Sequence, residues 1–523
     1  MTALSALPGT PRRAISWRHD LVLERGLLHM EHHDVTPADA RLDDLLAIAE
    51  ALEAGGIPLL LIRRDRSTPA LVVDIDQREE IFRTLREHLP ADPFYVKTKG
   101  TAVVPLEDAA LAGGAPRAVR IFRPRITPTR ALPHDGRHAP RVEFWRFGTE
   151  FVEAPDDNLL MRRVTPAADV TFDEVEKYGR RWRTIEGMFD PHPEEFLEPV
   201  DIVFSWVDGS SAQFQREQAA RLRTHVVGEG DDSAARYRHV DELRYALRSV
   251  HMYAPWIRHI FIATDSPVPS WLGQHPRVTV VRGEEFFADP SVLPTYNSHA
   301  VESQLHRIPG LSEHFLYSND DMFFGRSVDP EMFFSPAGHT RFVESEVRIG
   351  VGAPEAHRSG HDNGLRVNRA LLREHFGRTI LRDLAHCATP LRRSILFELE
   401  ETFPEEFART AAATFRSMTD ISVTNSLYHY YAMLTGRAAP TTEPRVRYVH
   451  TTTAGALQRI DRLAARGDVD MLCFNDGSET DVPEHLRARA LHDALERMFP
   501  VPGPWEKSET LPQTVEAVEA VAS

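Results

Sequence analysis

Residues 201–209 read DIVFSWVDG, an apolar strand that ends in an acidic turn containing glycine. An amphipathic helix is predicted over 240–256, and strands are predicted over 259–264 and 278–281. Residues 314–324 read HFLYSNDDMFF, a further apolar strand that runs into two acidic residues. Strands that alternate with helices at these spacings predict an α/β fold built on a doubly wound parallel sheet.

Polar turns follow three of the predicted strands, at the edge where such sheets bind ligands. These turns are Asp208-Gly209, Asn319-Asp320-Asp321 and Asn475-Asp476, the last within MLCFNDG at 471–477. The adjacent carboxylates of Asp320 and Asp321 can hold a hard divalent ion that bridges a diphosphate. The alternative is an ordinary turn, because Asn and Asp commonly end strands.

A helix predicted over 298–311 carries a second group of polar residues. Glu302 and His306 are four residues apart and therefore share one helix face. They are a candidate ligand or acid/base pair, although such pairs are more often surface contacts. Asn297 and Ser298 directly precede the helix and can cap it.

Single histidines and buried acids carry less information. His357 and His361 are four residues apart, but the neighbouring glycines predict a loop there. His386 lies near the start of a segment, 384–407, that is predicted to be helical, and it is one of 25 histidines. Asp201 is flanked by apolar residues, and a buried carboxylate requires a partner.

The composition excludes several classes of protein. The 523 residues carry a formal net charge of −16, which disfavours a nucleic-acid-binding coat. Only two cysteines occur, so neither a disulfide framework nor a cysteine zinc motif is expected. No apolar run reaches the ~20 residues of a membrane helix, and no secretory signal is recognisable. The sequence therefore predicts a soluble, cytoplasmic protein.

The chain divides into five predicted segments. Strands over 57–64 and 70–75, with a helix over 77–89, indicate a small α/β unit that precedes the large sheet. Residues 111–140 are rich in Gly, Pro and Arg and predict a loop. The segments are a disordered leader (1–16), an N-terminal α/β accessory region (17–188), a linker (189–200), a catalytic domain (201–500) and a flexible tail (501–523).

Four ordered blocks of this sequence resemble the Stealth family of capsule and exopolysaccharide phosphotransferases. A eukaryotic relative of that family is the alpha/beta subunit of the lysosomal-enzyme N-acetylglucosamine-1-phosphotransferase. The blocks are DIVFSWVDG at 201–209; 236–265 with 293–325; 365–377 with 385–394 and 403–417; and MLCFNDG at 471–477. The segment VEFWRFG at 142–148 is similar to the extra region of actinobacterial members.

The resemblance implies a fold and an activity. The catalytic domain would be glycosyltransferase-A-like and Rossmann-like. The enzyme would transfer a hexose 1-phosphate from a nucleotide sugar of UDP-hexose type to a hydroxyl of an acceptor glycan. The product would be a phosphodiester, with release of a nucleoside monophosphate, and a divalent metal (Mg or Mn) would be required. The acceptor would be a polysaccharide or glycolipid, with peripheral association with membrane-bound glycan machinery and no nucleic-acid partner.

The resemblance also implies roles for individual residues. The expected catalytic residues are Asp320, His386, Arg366 and Arg416, with His386 as general acid/base or phosphoryl-stabilising group and the arginines as phosphate clamps. The expected metal ligands are Asp320, Asp321 and Asp476, with one of the first two as an alternative base. The expected substrate contacts are Asp201, Asp208, Gly209, Arg244, Asn297, Ser298, Glu302 and Asn319.

Two departures and two alternatives remain open. Ser211 stands where family members often have an acid, and Thr389 stands where the eukaryotic relative has a second histidine. A direct acidic role at the first position, and any mechanism with paired histidines, are therefore not expected. The first alternative function is a metal-dependent glycosyltransferase that transfers only the sugar and releases a nucleoside diphosphate. The second is a glycan- or nucleotide-binding protein without catalytic activity.

Overall fold

The structure is a computed structural model of the chain. It describes residues 18–507 except 65–67, 99–102, 112–115, 130, 132–133, 135, 137–138, 210–215, 217–239 and 476–480. The predicted leader at 1–16 and most of the predicted tail, from residue 508 onwards, lie outside the described residues.

The N-terminal part is an α/β unit, as predicted. Its elements are β1 (Leu21–Glu24), β2 (Leu27–Glu31), α1 (Pro37–Ala54), β3 (Leu60–Arg63), β4 (Pro69–Asp74), α2 (Arg78–His88), β5 (Tyr95–Lys97), β6 (Val104–Pro105), β7 (Ala118–Phe122), β8 (Arg125–Ile126), β9 (Arg141–Phe147), β10 (Phe151–Glu153), β11 (Val164–Pro166), β12 (Phe172–Lys177) and β13 (Arg180–Ile185). An eight-stranded sheet contains the order β11-β10-β9-β7-β5-β6, and β4 pairs with both β3 and β9.

Local sequence explains why this unit forms. Thr36 caps α1 and forms a reciprocal capping box with Asp39, and Pro37 occupies the first turn. Apolar residues of α1 and α2 then pack on the sheet in one buried cluster. The prediction of a loop over 111–140 was wrong in part. Strands β7 and β8 lie there, since sheet pairing with β5, β9 and β2 outweighs the local turn preference.

The C-terminal part contains the predicted parallel sheet. Its elements are β14 (Val200–Ser205), α3 (Glu242–Tyr253), β15 (Ile260–Ala263), β16 (Val278–Val281), α4 (Gly283–Phe286), α5 (Ser298–Glu302), β17 (His314–Asn319), β18 (Met322–Phe324), β19 (Thr340–Phe342), β20 (Glu344–Arg348), α6 (Gly360–Phe376), β21 (Arg382–Leu384), β22 (Thr389–Arg392), α7 (Arg393–Thr402), α8 (Pro404–Ala411), α9 (Tyr428–Leu434), β23 (Ala438–Pro440), β24 (Val446–His450), α10 (Ala454–Arg466), β25 (Met471–Asn475) and α11 (Glu484–Met498).

Five strands form the central sheet in the order β16-β15-β14-β17-β22. The first four strands are parallel, and β22 runs antiparallel to β17. Side chains alternate between the two faces. Ile202 and Phe204 join a buried cluster with Leu247 of α3, whereas Val203 joins a second cluster with Leu365 of α6. Helices therefore cover both faces, and the predicted doubly wound α/β class is confirmed.

The segment predicted as a linker, 189–200, packs against both parts of the chain. The carboxylate of Glu195 lies 2.6 Å from the Arg63 guanidinium in the N-terminal unit. The Phe196 ring stacks on Phe334 at 4.9 Å between centroids and belongs to the core cluster of the C-terminal part. Glu195 thus binds this segment to the N-terminal unit, and Phe196 packs it against the C-terminal part.

The helix predicted over 298–311 is much shorter than expected. Helix α5 ends at Glu302, and a separate 3-10 turn covers Leu305–Arg307. Glu302 and His306 consequently do not share a helix face, and the predicted pair is wrong. The His306 ring instead hydrogen bonds Glu400 at 2.9 Å. Among the described residues, no helix is both long enough and apolar enough to cross a membrane.

Candidate active site

The strand order of the central sheet reverses between β14 and β17. Connections from β14 lead outwards to β15, and β17 lies on its other side. A crevice therefore opens at the carboxyl ends of these two strands, where ligands bind in such folds. Ser205 Oγ lies 2.8 Å from the Tyr317 hydroxyl, which donates to Asn319 Oδ1 at 2.8 Å. Asn319 is thus fixed at this edge, directly before Asp320.

The turn at Asp320 and Asp321 meets the end of β25. Asp321 Oδ2 accepts from Asn475 Nδ2 at 3.1 Å, and Phe474 N donates to the Asp321 carbonyl at 3.0 Å. Cys473 Sγ lies 3.5 Å from the same carboxylate oxygen; burial, and then the charge of Asp321, raise the pKa of this thiol. Two strand ends predicted from sequence therefore meet. Asp476 lies outside the described residues.

Helix α5 brings a buried acid to the same crevice. Glu302 Oε2 accepts the Thr424 hydroxyl at 2.6 Å, and Asn425 Nδ2 lies 3.4 Å away. Burial and then the negative charge of Glu302 raise the pKa of Tyr317 well above its usual value of 10. Tyr317 therefore stays neutral, and its hydroxyl donates a hydrogen bond to Asn319. Glu302 and Asn319 thus belong to one polar network around Tyr317.

Asn297 holds the chain segment that carries Arg416. It caps α5 by accepting from His299 N at 3.1 Å, and its Nδ2 donates to Asp420 Oδ2 at 2.8 Å. Arg416 Nη2 in turn donates to Ser298 Oγ at 2.8 Å. Asn297 is consequently a buried positioning residue, and Ser298 is a contact of the arginine.

Gly360, the first residue of α6, lies directly beneath the Arg416 side chain. A Cβ at Gly360 would stand 2.6 Å from Arg416 Cδ and 2.7 Å from Arg416 Cβ, which is too close for any side chain. The glycine therefore lets the arginine pass over the start of α6. The next residue along the helix is His361.

His361, Asp383 and His386 form a compact cluster. Their nitrogen and oxygen ligand atoms all lie within 4.8 Å of one another. His361 Nε2 donates to Asp383 Oδ2 at 2.9 Å. Asp383 belongs to β21, and His386 lies in the short connection to β22. The antiparallel β20–β21 pair and the start of α6 thus place three polar groups together.

The two imidazoles of this cluster have opposite protonation preferences. Burial lowers the pKa of His386 below 6.5, and the neighbouring His361 lowers it further. Burial also disfavours the charged form of His361, but the hydrogen bond and charge of Asp383 outweigh it and raise the His361 pKa above 6.5. The surroundings thus favour the neutral form of His386 and the protonated form of His361.

Tyr448 connects this cluster to the acidic turn. The His386 and Tyr448 rings are 4.9 Å apart between centroids. Tyr448 belongs to β24 and pairs in register with Cys473 of β25, the neighbour of Asp321. The acidic turn, Tyr448 and His386 therefore form a continuous chain of contacts along one side of the crevice.

Three predicted site residues are held by other groups of the protein. Asp201 is fully buried at the start of β14, about 13 Å along the strand from its carboxyl end at ~3.3 Å per residue. Its carboxylate binds the Arg258 guanidinium at 2.5 and 2.8 Å and accepts from Ser312 N at 2.7 Å. Arg244 is paired with Glu506 at 2.6 Å. Asp201 therefore lies at the edge of the sheet opposite the crevice.

Arg366 is the third of these residues. Its guanidinium donates to the Val351 carbonyl at 3.2 and 3.3 Å and to the Asp362 carbonyl at 3.0 Å, and it pairs with the Asp362 carboxylate. These bonds fasten the 350–351 segment to α6. Asp208 and Gly209, by contrast, follow the carboxyl end of β14, where Asp208 N donates to Ser266 Oγ at 2.9 Å.

Sequence reasoning missed His361 and Asp383. The loop predicted around His361 is the first turn of α6, and Ser359 caps it by accepting from Asp362 N at 3.2 Å. A Ser residue three positions before an Asp is a recognisable helix start, so this signal was present. The partnership with Asp383 depends on strand pairing and leaves no local signature.

Three sequence models of conserved Stealth regions match the chain. Stealth protein CR2, conserved region 2, covers 236–342; CR3, conserved region 3, covers 385–433; and CR4, conserved region 4, covers 461–515. The exopolysaccharide phosphotransferase CpsY of Mycobacterium leprae is 49% identical over 94% of this chain and 91% of its own length. The chain belongs to the Stealth family.

Further relatives carry the same description. An exopolysaccharide phosphotransferase of Nocardia farcinica is 48% identical over 90% of this chain and 88% of its own length. The exopolysaccharide phosphotransferase SCO6023 of Streptomyces coelicolor is 36% identical over 91% and 84%, respectively. This Stealth protein is therefore an enzyme with a phosphotransferase role.

Solved structures of a galactosyltransferase match part of the chain at low similarity. The galactosyltransferase LgtC, in complex with donor and acceptor sugar analogs, matches 56% of this chain and 95% of its own chain with 11% identity and a TM-score of 0.28. A similarity this low supports no inference about the site. The α/β class of the Stealth enzyme rests on its own sheet.

The conserved Stealth regions account for most of the crevice. Conserved region 2 contains Glu302 and the Asp320-Asp321 turn, and conserved region 3 contains His386 and Arg416. His361 and Asp383 lie outside the three matched ranges. The structure therefore adds two charged residues to the group that the conserved regions delimit.

Proposed function

We propose that this enzyme transfers a hexose 1-phosphate from a nucleotide sugar of UDP-hexose type to a hydroxyl group of an exopolysaccharide or capsule acceptor. The cluster of His361, Asp383 and His386 carries this proposal, because it places an imidazole that favours its neutral form beside one that favours its protonated form. The names of the relatives support phosphoryl transfer to an exopolysaccharide.

The proposed step is an in-line displacement at the phosphorus that bears the hexose. The acceptor oxygen forms a bond to this phosphorus, and the bond from phosphorus to the bridging oxygen of the diphosphate breaks. The electron pair of that bond leaves with the nucleoside monophosphate. The product is a phosphodiester between the hexose and the acceptor.

His386 is the proposed general base. Burial keeps its imidazole neutral near pH 7, so a ring nitrogen can accept the proton of the acceptor hydroxyl. The Tyr448 ring at 4.9 Å limits the orientations of this imidazole. A fixed, neutral histidine is a better base than an exposed one, because no rotation or deprotonation must precede the reaction.

Arg416 and His361 are the proposed cations on the transferred phosphoryl group. Arg416 is anchored by Ser298 and by the close approach of Gly360, which places its guanidinium beside the start of α6. The hydrogen bond and charge of Asp383 favour the protonated form of His361 and raise its pKa. Two preorganised positive charges favour the extra negative charge that develops on the equatorial oxygens in the transition state.

The oxygen ligands at the acidic turn fit a divalent metal. The carboxylates of Asp320 and Asp321 are hard donors, and Asn475 orients one oxygen of Asp321. The His361–Asp383–His386 cluster fits less well, because His361 Nε2 already donates a proton to Asp383. We therefore assign the metal to Asp320 and Asp321; when bound, Mg²⁺ or Mn²⁺ would neutralise charge on the diphosphate.

A direct binding measurement tests this assignment separately from activity. Titration of the purified enzyme with Mn²⁺, followed by electron paramagnetic resonance, should give one site that Asp320→Asn and Asp321→Asn weaken. His361→Gln should leave that affinity unchanged. Loss of the site in His361→Gln, with retention in both aspartate variants, would place the metal in the histidine cluster instead.

Glycosyl transfer is the alternative, since the diphosphate and metal would bind in the same way. In that case the acceptor attacks the anomeric carbon and a nucleoside diphosphate leaves. The nucleotide released from a panel of nucleotide sugars, in the presence of Mg²⁺ or Mn²⁺ and acceptor glycan, separates the two. The proposal expects a nucleoside monophosphate; a nucleoside diphosphate as sole product would refute it.

A further inference from the structure

The N-terminal unit contains an open cavity that the proposed reaction does not use. Its volume is about 330 Å³, near the lower end of the ~300–1,000 Å³ common among small-molecule sites. Leu60 and Val72 form part of its base, and Phe147 and Phe172 line it as well. Phe147 and Gly148, the last two residues of VEFWRFG (142–148), line the cavity. This motif has no role in the proposed reaction.

Two large aromatic rings of this cavity face solvent. Phe147 is 36% exposed and Phe172 is 41% exposed. Phe147 stays at the rim because the chain turns sharply after it. A Cβ at Gly148 would stand 2.9 Å from the Phe151 carbonyl oxygen, so this turn depends on glycine. Exposed aromatic side chains that share a concave site are typical of ligand binding.

Planar polar groups stand beside the rings. Asp74, Gln77 and Arg183 line the same cavity. The Arg183 guanidinium stacks over the Phe172 ring at 4.3 Å, which holds both side chains in one arrangement. Asp74 Oδ1 accepts from Asp76 N at 3.0 Å. Within the described part of the chain, no protein group hydrogen bonds the Gln77 amide or the Arg183 guanidinium.

We infer that this cavity binds a neutral segment of the acceptor glycan; that the glycan is the acceptor rests on the proposed function. A pyranose ring presents a face of C–H groups that packs on an aromatic ring. Its hydroxyl groups pair with carboxylate, amide and guanidinium groups, which offer two hydrogen bonds each in one plane. An acyl chain is disfavoured, because it would remove water from Asp74 and Arg183 without replacing those hydrogen bonds.

Binding of labelled oligosaccharides tests this inference. We would use neutral gluco-, manno- and galacto-configured oligomers of three to five units and measure fluorescence polarisation with the full-length His386→Ala enzyme, without nucleotide sugar, so that no transfer occurs. Phe172→Ala and Arg183→Ala should each weaken binding about tenfold. Phe151→Ala on β10 and Arg181→Ala on β13, the strand of Arg183, are matched controls, and they should bind like the parent because both residues are exposed and outside the lining.

The outcomes also separate this inference from the proposed function. Loss of binding in the two lining variants alone supports the site, whether or not transfer is observed. Absence of binding to every oligosaccharide, or equal effects of lining and control variants, would overturn it. Decanoate serves as a competitor. If it displaces the labelled oligomer from the parent, and does not displace the remaining bound oligomer from Phe172→Ala at the same concentration, the cavity would instead be assigned to an acyl chain.

Discussion

His361 Nε2 lies 2.9 Å from Asp383 Oδ2, and this hydrogen bond joins the first turn of α6 to strand β21. The pair has a direct electrostatic consequence. Asp383 raises the pKa of His361 through its hydrogen bond and charge, and the positive charge of a protonated His361 lowers the pKa of His386. The protonation of the two imidazoles in the proposed active site is thereby coupled.

Asp383→Asn is expected to reduce kcat on the order of 10²-fold, because one cation of the transition state is lost. It should also move the alkaline limb of the pH–kcat profile to lower pH. That limb reports deprotonation of His361, whose raised pKa depends on the Asp383 charge. The measurement is a pH–rate profile of both proteins. An unchanged alkaline limb would show that Asp383 does not set the pKa that limits catalysis.

His386→Ala is expected to reduce kcat by roughly 10²–10⁴-fold, the usual contribution of a general base. The acidic limb of the pH–kcat profile should disappear as well. In the parent enzyme this limb lies below pH 6.5, because activity requires neutral His386 and its pKa is lowered by burial. A matched variant is His450→Ala, on the neighbouring strand β24, which should retain the acidic limb. If His386→Ala kept that limb, another group would be the base.

Gly360→Ala is expected to lower activity almost as strongly as Arg416→Ala, about 10²–10³-fold. The added methyl group would displace the Arg416 side chain, which passes 2.6 Å from that position. Gly455→Ala provides the control, since a Cβ at Gly455 meets no atom within 4 Å. Steady-state kinetics and melting temperatures of the three variants decide the matter. Full activity of Gly360→Ala would show that Arg416 need not occupy this position.

Asp201→Ala is expected to destabilise the protein without a specific effect on the reaction. The Arg258 side chain is 48% exposed, so the ion pair itself contributes little. The main cost, about 1–3 kcal/mol, comes from the buried Ser312 N–H that loses its acceptor. Denaturant unfolding should reveal this loss, while KM for the nucleotide sugar stays within twofold of the parent. A large rise in KM with unchanged stability would return Asp201 to the donor site.

The sheet and its ligand-binding edge could be predicted because each strand is a continuous apolar run that ends in a polar turn. Buried parallel strands have this pattern, and their order fixes where the polar ends meet. The meeting of Asp321 with Asn475 follows from the same rule. Asp201 shows its limit: the start of the strand carries an acid too, but at the opposite edge, where Arg258 neutralises it.

The histidine cluster could not be predicted from local pattern. Gly360 indicated a loop, but the glycine is there because Arg416, distant in sequence, crosses the helix start. Asp383 is brought to His361 by the pairing of β20 with β21. The length of α5 also depends on tertiary contacts, since Glu302 at its end is bound by Thr424. In each case, contacts between distant segments outweigh local preference.

The fate of the donor phosphate tests the central claim most directly. The enzyme is supplied with a UDP-hexose radiolabelled at the phosphate next to the sugar, together with acceptor glycan and Mg²⁺ or Mn²⁺; an Arg416→Ala enzyme serves as control. Hexose 1-phosphate transfer predicts that the label enters the glycan, at a rate reduced at least a hundredfold in the control. Label found entirely in released UDP, with unlabelled sugar added to the glycan, would contradict the proposed reaction.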